Sequence, residues 1–166
     1  MTTTVDQGHD KVAISIDGTS VVELIELLYF GYRDFISDPD ALLEDFGFGR
    51  AHHRVIHFVG RNPGINVAEL LDLLRITKQS LARVLRELVQ RDIIVQRLAE
   101  DDKRKRLLHL TDQGNMLHGR LMAPQMERVR RALKHAGLDS AEVFEQVLFG
   151  LINEVDRDAV RRVVST

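Results

Sequence analysis

A chain of 166 residues, 44% of them hydrophobic and with a formal net charge of -2, has the size and composition of one globular domain, or of two small lobes sharing a core. It contains no cysteine, which excludes disulfides, thiolate catalysis, thiol redox sensing and cysteine-based zinc sites. No apolar run approaches the roughly 20 residues of a membrane span, and the opening "MTTTVDQGHDKVAISIDG" lacks the basic and apolar parts of a signal peptide, so the cytoplasm is the expected location.

Residues 1–18 read as a flexible N-terminal arm. Thr19 or Ser20 then caps a helix, "TSVVELIELLYFGYRDFI", whose apolar positions cover most of its circumference. A helix apolar nearly all round is buried on more than one side, and in so short a chain a second subunit is expected to supply part of that cover. "SDPDALLEDFGFG" reads as a loop with at most one helical turn. "RAHHRVIHFVG" is a helix with an apolar stripe at Ala51, Val55, Phe58 and Val59, ended by the turn signal "RNPG".

Asn66, with Glu69 three residues on, starts a short helix as a variant capping box. Thr77 caps the next, over 77–91, with Ile76 and Leu81 at the hydrophobic-staple positions. Leu81, Val84, Leu85 and Leu88 form its apolar face; Gln79, Arg83, Arg86 and Gln90 lie opposite. Two helices so tightly joined, the second with a basic outer face, fit a helix-turn-helix.

"IIVQR" and "RLLHL" alternate as strands and flank "LAEDDKRK", a hairpin with a long charged tip. "TDQGNMLHGRLMAPQMERVRRALKHAG" is a long helix capped by Thr111, with a kink or short break expected at Pro124. "DSAEVFEQVLFGLINEVDRDAVRRVV" reads as one further long helix with a wide apolar stripe. The predicted fold is mostly α with a small β-hairpin wing: a winged helix-turn-helix framed by helices from both ends of the chain.

Charge distribution supports that reading where net charge does not. Ten bases against five acids lie between Arg75 and Arg106, so the rest of the chain is acidic. A local basic surface is the electrostatic footprint of a polyanion-binding protein.

The element order and two motifs resemble the MarR family of transcription regulators. In "DKRKRLLHLTDQG", Asp102, Arg104, Leu110, Thr111 and Gly114 fall in register with the family's wing signature. "ITKQSLARVLRELVQRDIIVQR" is similar to its recognition-helix region, and "GRAHHRVIHFVGRNPG" resembles a PetP/LdtR-like branch. The resemblance spans roughly residues 20–160. One departure is Asp92, where members usually carry Gly at the turn from recognition helix to wing; Asp takes the left-handed backbone with some strain. The resemblance implies a homodimer built by both chain ends, with residues 19–48 and 112–166 as the dimerisation region and 49–111 as the DNA-binding lobe. It also implies a repressor released by a small, often phenolic, effector bound between the dimer helices and the DNA-binding lobe.

The expected DNA partner is a pseudo-palindromic duplex, with helix 77–91 in the major groove and wing 98–106 in the minor groove. Arg83 suits guanine and Gln79 adenine; Lys78, Ser80 and Arg86 suit phosphates, and Thr77 caps the helix. On the wing, Arg104 is expected in the minor groove, oriented by Asp102, with Lys103, Lys105 and Arg106 on flanking phosphates. A solvated basic helix face and a mobile charged loop are the bland alternatives.

His53 and His57 stand four residues apart on one helix face, nearly opposite the apolar stripe, where exposed or cleft-lining side chains are expected; His52 lies nearer the stripe edge. Two such histidines do not make a metal site unaided, so neither metal nor cofactor is expected. These three histidines with Tyr29, Tyr32 and Arg33 are candidate effector residues. Carboxylates form no paired motif, and no catalytic residue is assigned. The competing readings are a metal sensor or enzyme using His52, His53 and His57, and a winged-helix module that binds protein.

Overall fold

The computed structural model describes residues 15–16, 19–100, 102, 105–137 and 140–164. It divides into two compact units, residues 1–36 and 37–166. In the first, β1 (Ser15–Ile16) pairs antiparallel with β2 (Thr19–Ser20) and leads into α1 (Val21–Glu44). Thr19 is therefore in a strand, not at a helix cap, and Ser15 and Ile16 of the expected arm are paired. The rest of the arm, residues 1–14, 17 and 18, lies outside the described residues.

Helix α1 does not stop where a loop was expected. It runs through Pro39 to Glu44. A proline inside a helix removes one hydrogen bond and costs about 3 kcal/mol. Burial offsets this: Pro39 is buried, Leu43 is wholly buried in the core of the second unit and Leu42 packs beside it. Full burial of one leucine contributes about 2 kcal/mol. Asp38 is paired with Arg128 at 2.8 Å and Asp40 with Arg50 at 2.9 Å, which fixes the same turns.

The second unit continues with α2 (Arg50–Arg61), β3 (Ile65–Asn66), α3 (Val67–Leu74), α4 (Lys78–Gln90), β4 (Ile94–Leu98), β5 (Arg106–Leu110), α5 (Asp112–Ala136), α6 (Ser140–Gly150) and α7 (Glu154–Val164). The starts of α3, α4 and α5 are legible. The Asn66 side chain accepts from the N–H groups of Ala68 and Glu69, and Glu69 takes the Asn66 N–H at 3.0 Å, a complete capping box. Thr77 and Thr111 accept from the N–H of Ser80 and Gly114. Val55, Ile56, Val59, Leu70, Leu81, Val84, Leu88, Leu108, Leu117 and Leu121 join in one core.

The wing is a three-stranded antiparallel sheet of order β3-β5-β4, with Ile94 opposite Leu110 and Leu98 opposite Arg106. The third strand, β3, adds to the expected hairpin; a pair of residues carries no alternation to read. Asp92 has φ 56°, the left-handed turn expected there.

Of the kink or break expected at Pro124, the break is absent: α5 runs through it as one helix. One expectation for the C-terminal helices differs. The last segment is two helices rather than one, parted at Leu151–Asn153. Gly150 is a poor helix residue and Asn153 a good helix starter. Arg157 holds the break by donating to the carbonyls of Ile152 at 3.0 Å and Gly150 at 3.1 Å. α7 is also tied to the end of α3 by an Arg75–Asp156 ion pair. Among the described residues no helix is long and apolar enough to cross a membrane.

Candidate nucleic-acid interface

Helix α4 is held from one side only. Leu81, Val84, Leu85 and Leu88 are buried, and Lys78, Gln79, Ser80, Arg83, Arg86 and Gln90 are all exposed. The turn before it is fixed by Arg75, which has φ 50° at the end of α3, and by Arg54, which donates to the Leu74 carbonyl at 3.0 Å. Thr77 and Ser80 are engaged with each other as well as with the cap, their hydroxyls 2.8 Å apart. The cations of the helix are thus turned outward.

The wing begins on the same side. A groove of about 710 Å³ between α4 and the sheet has an apolar floor that includes Leu85, Val89 and Ile94. Lys78 and Arg86 from the helix and Arg106 from β5 line it together. At the hairpin end the Ala99 N–H bonds the Lys105 carbonyl at 3.1 Å, and the Lys105 N–H bonds the Asp102 carbonyl at 2.8 Å. Lys105 is exposed and Asp102 half-buried; Lys103 and Arg104, and hence the Asp102–Arg104 pairing, lie outside the described residues.

His53 and His57 are less exposed than the sequence suggested, whereas His52 is satisfied, as its place near the stripe edge implied. His52 and His53 are buried and His57 is half-buried, because α2 packs against α4 on one side and α5 on the other. His52 faces α4. Its Nδ1 accepts the Gly49 N–H at 3.1 Å, its Nε2 lies 2.7 Å from a Glu87 oxygen, and its ring stacks on Phe48. His57 faces α5 and meets His118, a partner that sequence reasoning missed, at 5.6 Å between ring centres. A Cβ at Gly60 would stand 2.8 Å from the His118 ring, so the missing side chain there makes room for it. Among the described residues no three histidines or carboxylates are grouped to hold a metal ion. Of the other effector candidates, Tyr29 and Tyr32 are exposed, and Arg33 pairs with Asp34 at 2.8 Å and lies over the Phe30 ring.

The histidine environment has a pH signature. Burial, then His118, His53 and Arg61, push His57 down to about 4. Burial also lowers His53, with Asp40 opposing and His118 reinforcing, and burial and Arg61 lower His118. For His57 the folded protein binds fewer protons than the unfolded chain between its folded value of about 4 and the ordinary value of 6.5. Stability from this group is therefore intact above pH 6.5 and falls as pH drops towards 4. His57→Asn is expected to flatten that stretch of the melting-temperature profile; a variant curve parallel to wild type counts against it.

Comparison with known proteins bears on the whole arrangement. A family model described as MarR family matches residues 46–105, from within the α1–α2 connection to the wing tip. The HTH-type transcriptional regulator PetP of Rhodobacter capsulatus is 44% identical over 133 residues, 80% of this chain and 80% of that protein. The chain belongs to the MarR family. It is a transcription regulator rather than an enzyme, as its family and this relative are. Solved structures with the same fold include a SlyA-like regulator from Listeria monocytogenes, at a TM-score of 0.66 and 17% identity over 86% of this chain and 93% of that one. FabT of Streptococcus pneumoniae, solved in complex with DNA, has a TM-score of 0.69 and 18% identity over 78% of this chain and 93% of that one.

Proposed function

We propose that this MarR-family regulator acts as a homodimer on a pseudo-palindromic DNA operator, with α4 in the major groove and the wing in the adjacent minor groove. The observation that carries the reading is the common groove lined by Lys78, Arg86 and Arg106: helix and wing cations face one side of the lobe. Residues 49–111 are the DNA-binding lobe, and 19–48 with 112–166 make the dimer. Gln79 and Arg83 read base edges. Lys78, Ser80 and Arg86 take phosphates, as Lys103, Lys105 and Arg106 do beside Arg104, which Asp102 orients. Thr77 sets the helix start. FabT, which shares the fold, is solved in complex with DNA, and this supports DNA as the partner. The cell compartment is the cytoplasm, where the DNA is.

Selection of bound fragments from random duplex DNA tests this directly. Enriched half-sites with centres about one helical turn apart are expected; no enrichment overturns the reading. In the same assay Arg83→Ala is expected to lose about 1–3 kcal/mol of affinity and to relax one base position per half-site. Unchanged affinity and preference would remove Arg83 from the interface.

A small-molecule effector that releases DNA fits the partly closed histidine cluster of His53, His57 and His118 less well than a cleft would. The exposed Tyr29 and Tyr32 with Arg33 are the better candidates for contacting an aromatic effector, and His52 is committed to Glu87.

A further inference from the structure

Glu87 presents a puzzle to charge counting. It is an acid on the helix proposed to enter DNA, one turn after Arg83, and its side chain is 39% exposed. A carboxylate there repels phosphates. Its other contacts explain why it is nevertheless built in.

The tautomer of His52 follows from its partners. The Gly49 N–H can only donate, so His52 Nδ1, 3.1 Å away, is the bare acceptor nitrogen. The ring proton is then on Nε2, which donates to Glu87 Oε2 at 2.7 Å. The ring cannot swing, because it is buried and stacked on Phe48 with centres 4.6 Å apart. One oxygen of Glu87 is thereby anchored to α2, outside the recognition helix. The other, Oε1, stands 4.0 Å from Arg83 Nε. Arg83 is otherwise a long, exposed side chain with many rotamers.

We propose that Glu87, fixed by His52, is a specificity-determining positioning residue that aims the Arg83 guanidinium at its base. An exposed ion pair is worth little in water. Its effect lies in restricting Arg83 before contact, so that less rotamer freedom is lost on reading the base. A carboxylate anchored from α2 does this, whereas a freely rotating one on the same helix would move with the arginine. The inference rests on the recognition-helix reading above.

Fragment selection with wild type, Glu87→Gln, His52→Phe and His52→Gln, each also in an Arg83→Ala background, tests it. Glu87→Gln keeps the acceptor for His52 and removes the charge. It is expected to bind unrelated duplex no more weakly than wild type, yet to lose about fivefold or more of the discrimination at the base position that Arg83 reads. His52→Phe keeps the stack but not the donor and is expected to lose discrimination at that same position. His52→Gln retains an N–H at the reach of Nε2 and is expected to restore it. In the Arg83→Ala background none of the three should change base preference further. A wild-type chain that enriches no sequence overturns the DNA reading, and this proposal with it. A wild-type chain that selects an operator, with Glu87→Gln matching it at every position, overturns this proposal alone. So does a loss of discrimination that persists without Arg83.

Discussion

Gly114→Ala is expected to lower the melting temperature by about 10 °C or more, which corresponds to about 4 kcal/mol in a chain of this size. A Cβ at Gly114 would stand 2.1 Å from the Ile93 carbonyl oxygen and 3.1 Å from its carbon. Carbon–oxygen contacts of this kind normally settle near 3.3–3.6 Å, so the first turn of α5 would have to lift by more than an ångström. No side chain can yield, because both partners are backbone. The lift also breaks a cluster of bonds. Thr111 takes the Gly114 N–H at 3.0 Å, its own N–H donates to the Ile93 carbonyl at 3.1 Å, and its hydroxyl donates to the Asp92 carbonyl. Overpacking alone costs about 1–3 kcal/mol and losing a cap about 1 more. Gly119 is the control: nothing lies within 4 Å of its Cβ position, so Gly119→Ala on the same helix is expected to be neutral or to stabilise. A Gly114→Ala protein that melts within 3 °C of wild type, at a precision of about 1 °C, would show the close approach to be wrong.

That cluster explains why the wing region was readable from sequence. Thr111 and Gly114 carry a cap and a close approach, each of which allows few residue types. Asp92 stands where the family pattern calls for a left-handed backbone and has φ 56°. Asn66 and Glu69 similarly announced the start of α3. These are local signals, complete within about four residues. What sequence missed depends on distant partners. α1 continues through Pro39 because Leu43 meets the core. β3 exists because Ile65 lies opposite Leu108. His57 is half-buried because His118, sixty-one residues later, closes over it. The break after Gly150 was the exception, since Gly150 and Asn153 stood in view and the wide apolar stripe across them outweighed their signal. The candidate site divides the same way. The outward face of α4 followed from its periodicity, whereas the anchoring of Glu87 by His52 needed the packing of α2 on α4.

Val147→Asp is expected to convert the protein to a monomer and to abolish operator binding at concentrations where wild type saturates. α6 leaves Val143, Phe144, Val147 and Leu148 exposed along one face, Leu151 just beyond it is exposed too, and α1 leaves Leu24, Ile25, Leu27, Leu28 and Phe30 exposed. Soluble monomers rarely leave contiguous apolar faces of this kind in water. A second copy covering them would remove area worth about 25 cal/mol per Å², and a standard interface buries about 1,600 Å². In a two-fold dimer one substitution is met twice, so two unpaired carboxylates enter the interface, each at a penalty of several kcal/mol. The dimer dissociation constant is therefore expected to rise by at least about a thousandfold. DNA binding follows, because two linked lobes on two half-sites gain about a hundred- to ten-thousandfold over one. Glu142, on the opposite face of α6 and bonded to Gln146, supplies the control: Glu142→Ala should remain dimeric. Light scattering at micromolar concentration reads the mass of both variants. If Val147→Asp stays a dimer, this face is not the one that pairs the lobes. If it becomes a monomer and still binds the full operator as tightly as wild type, the two half-sites are not read together.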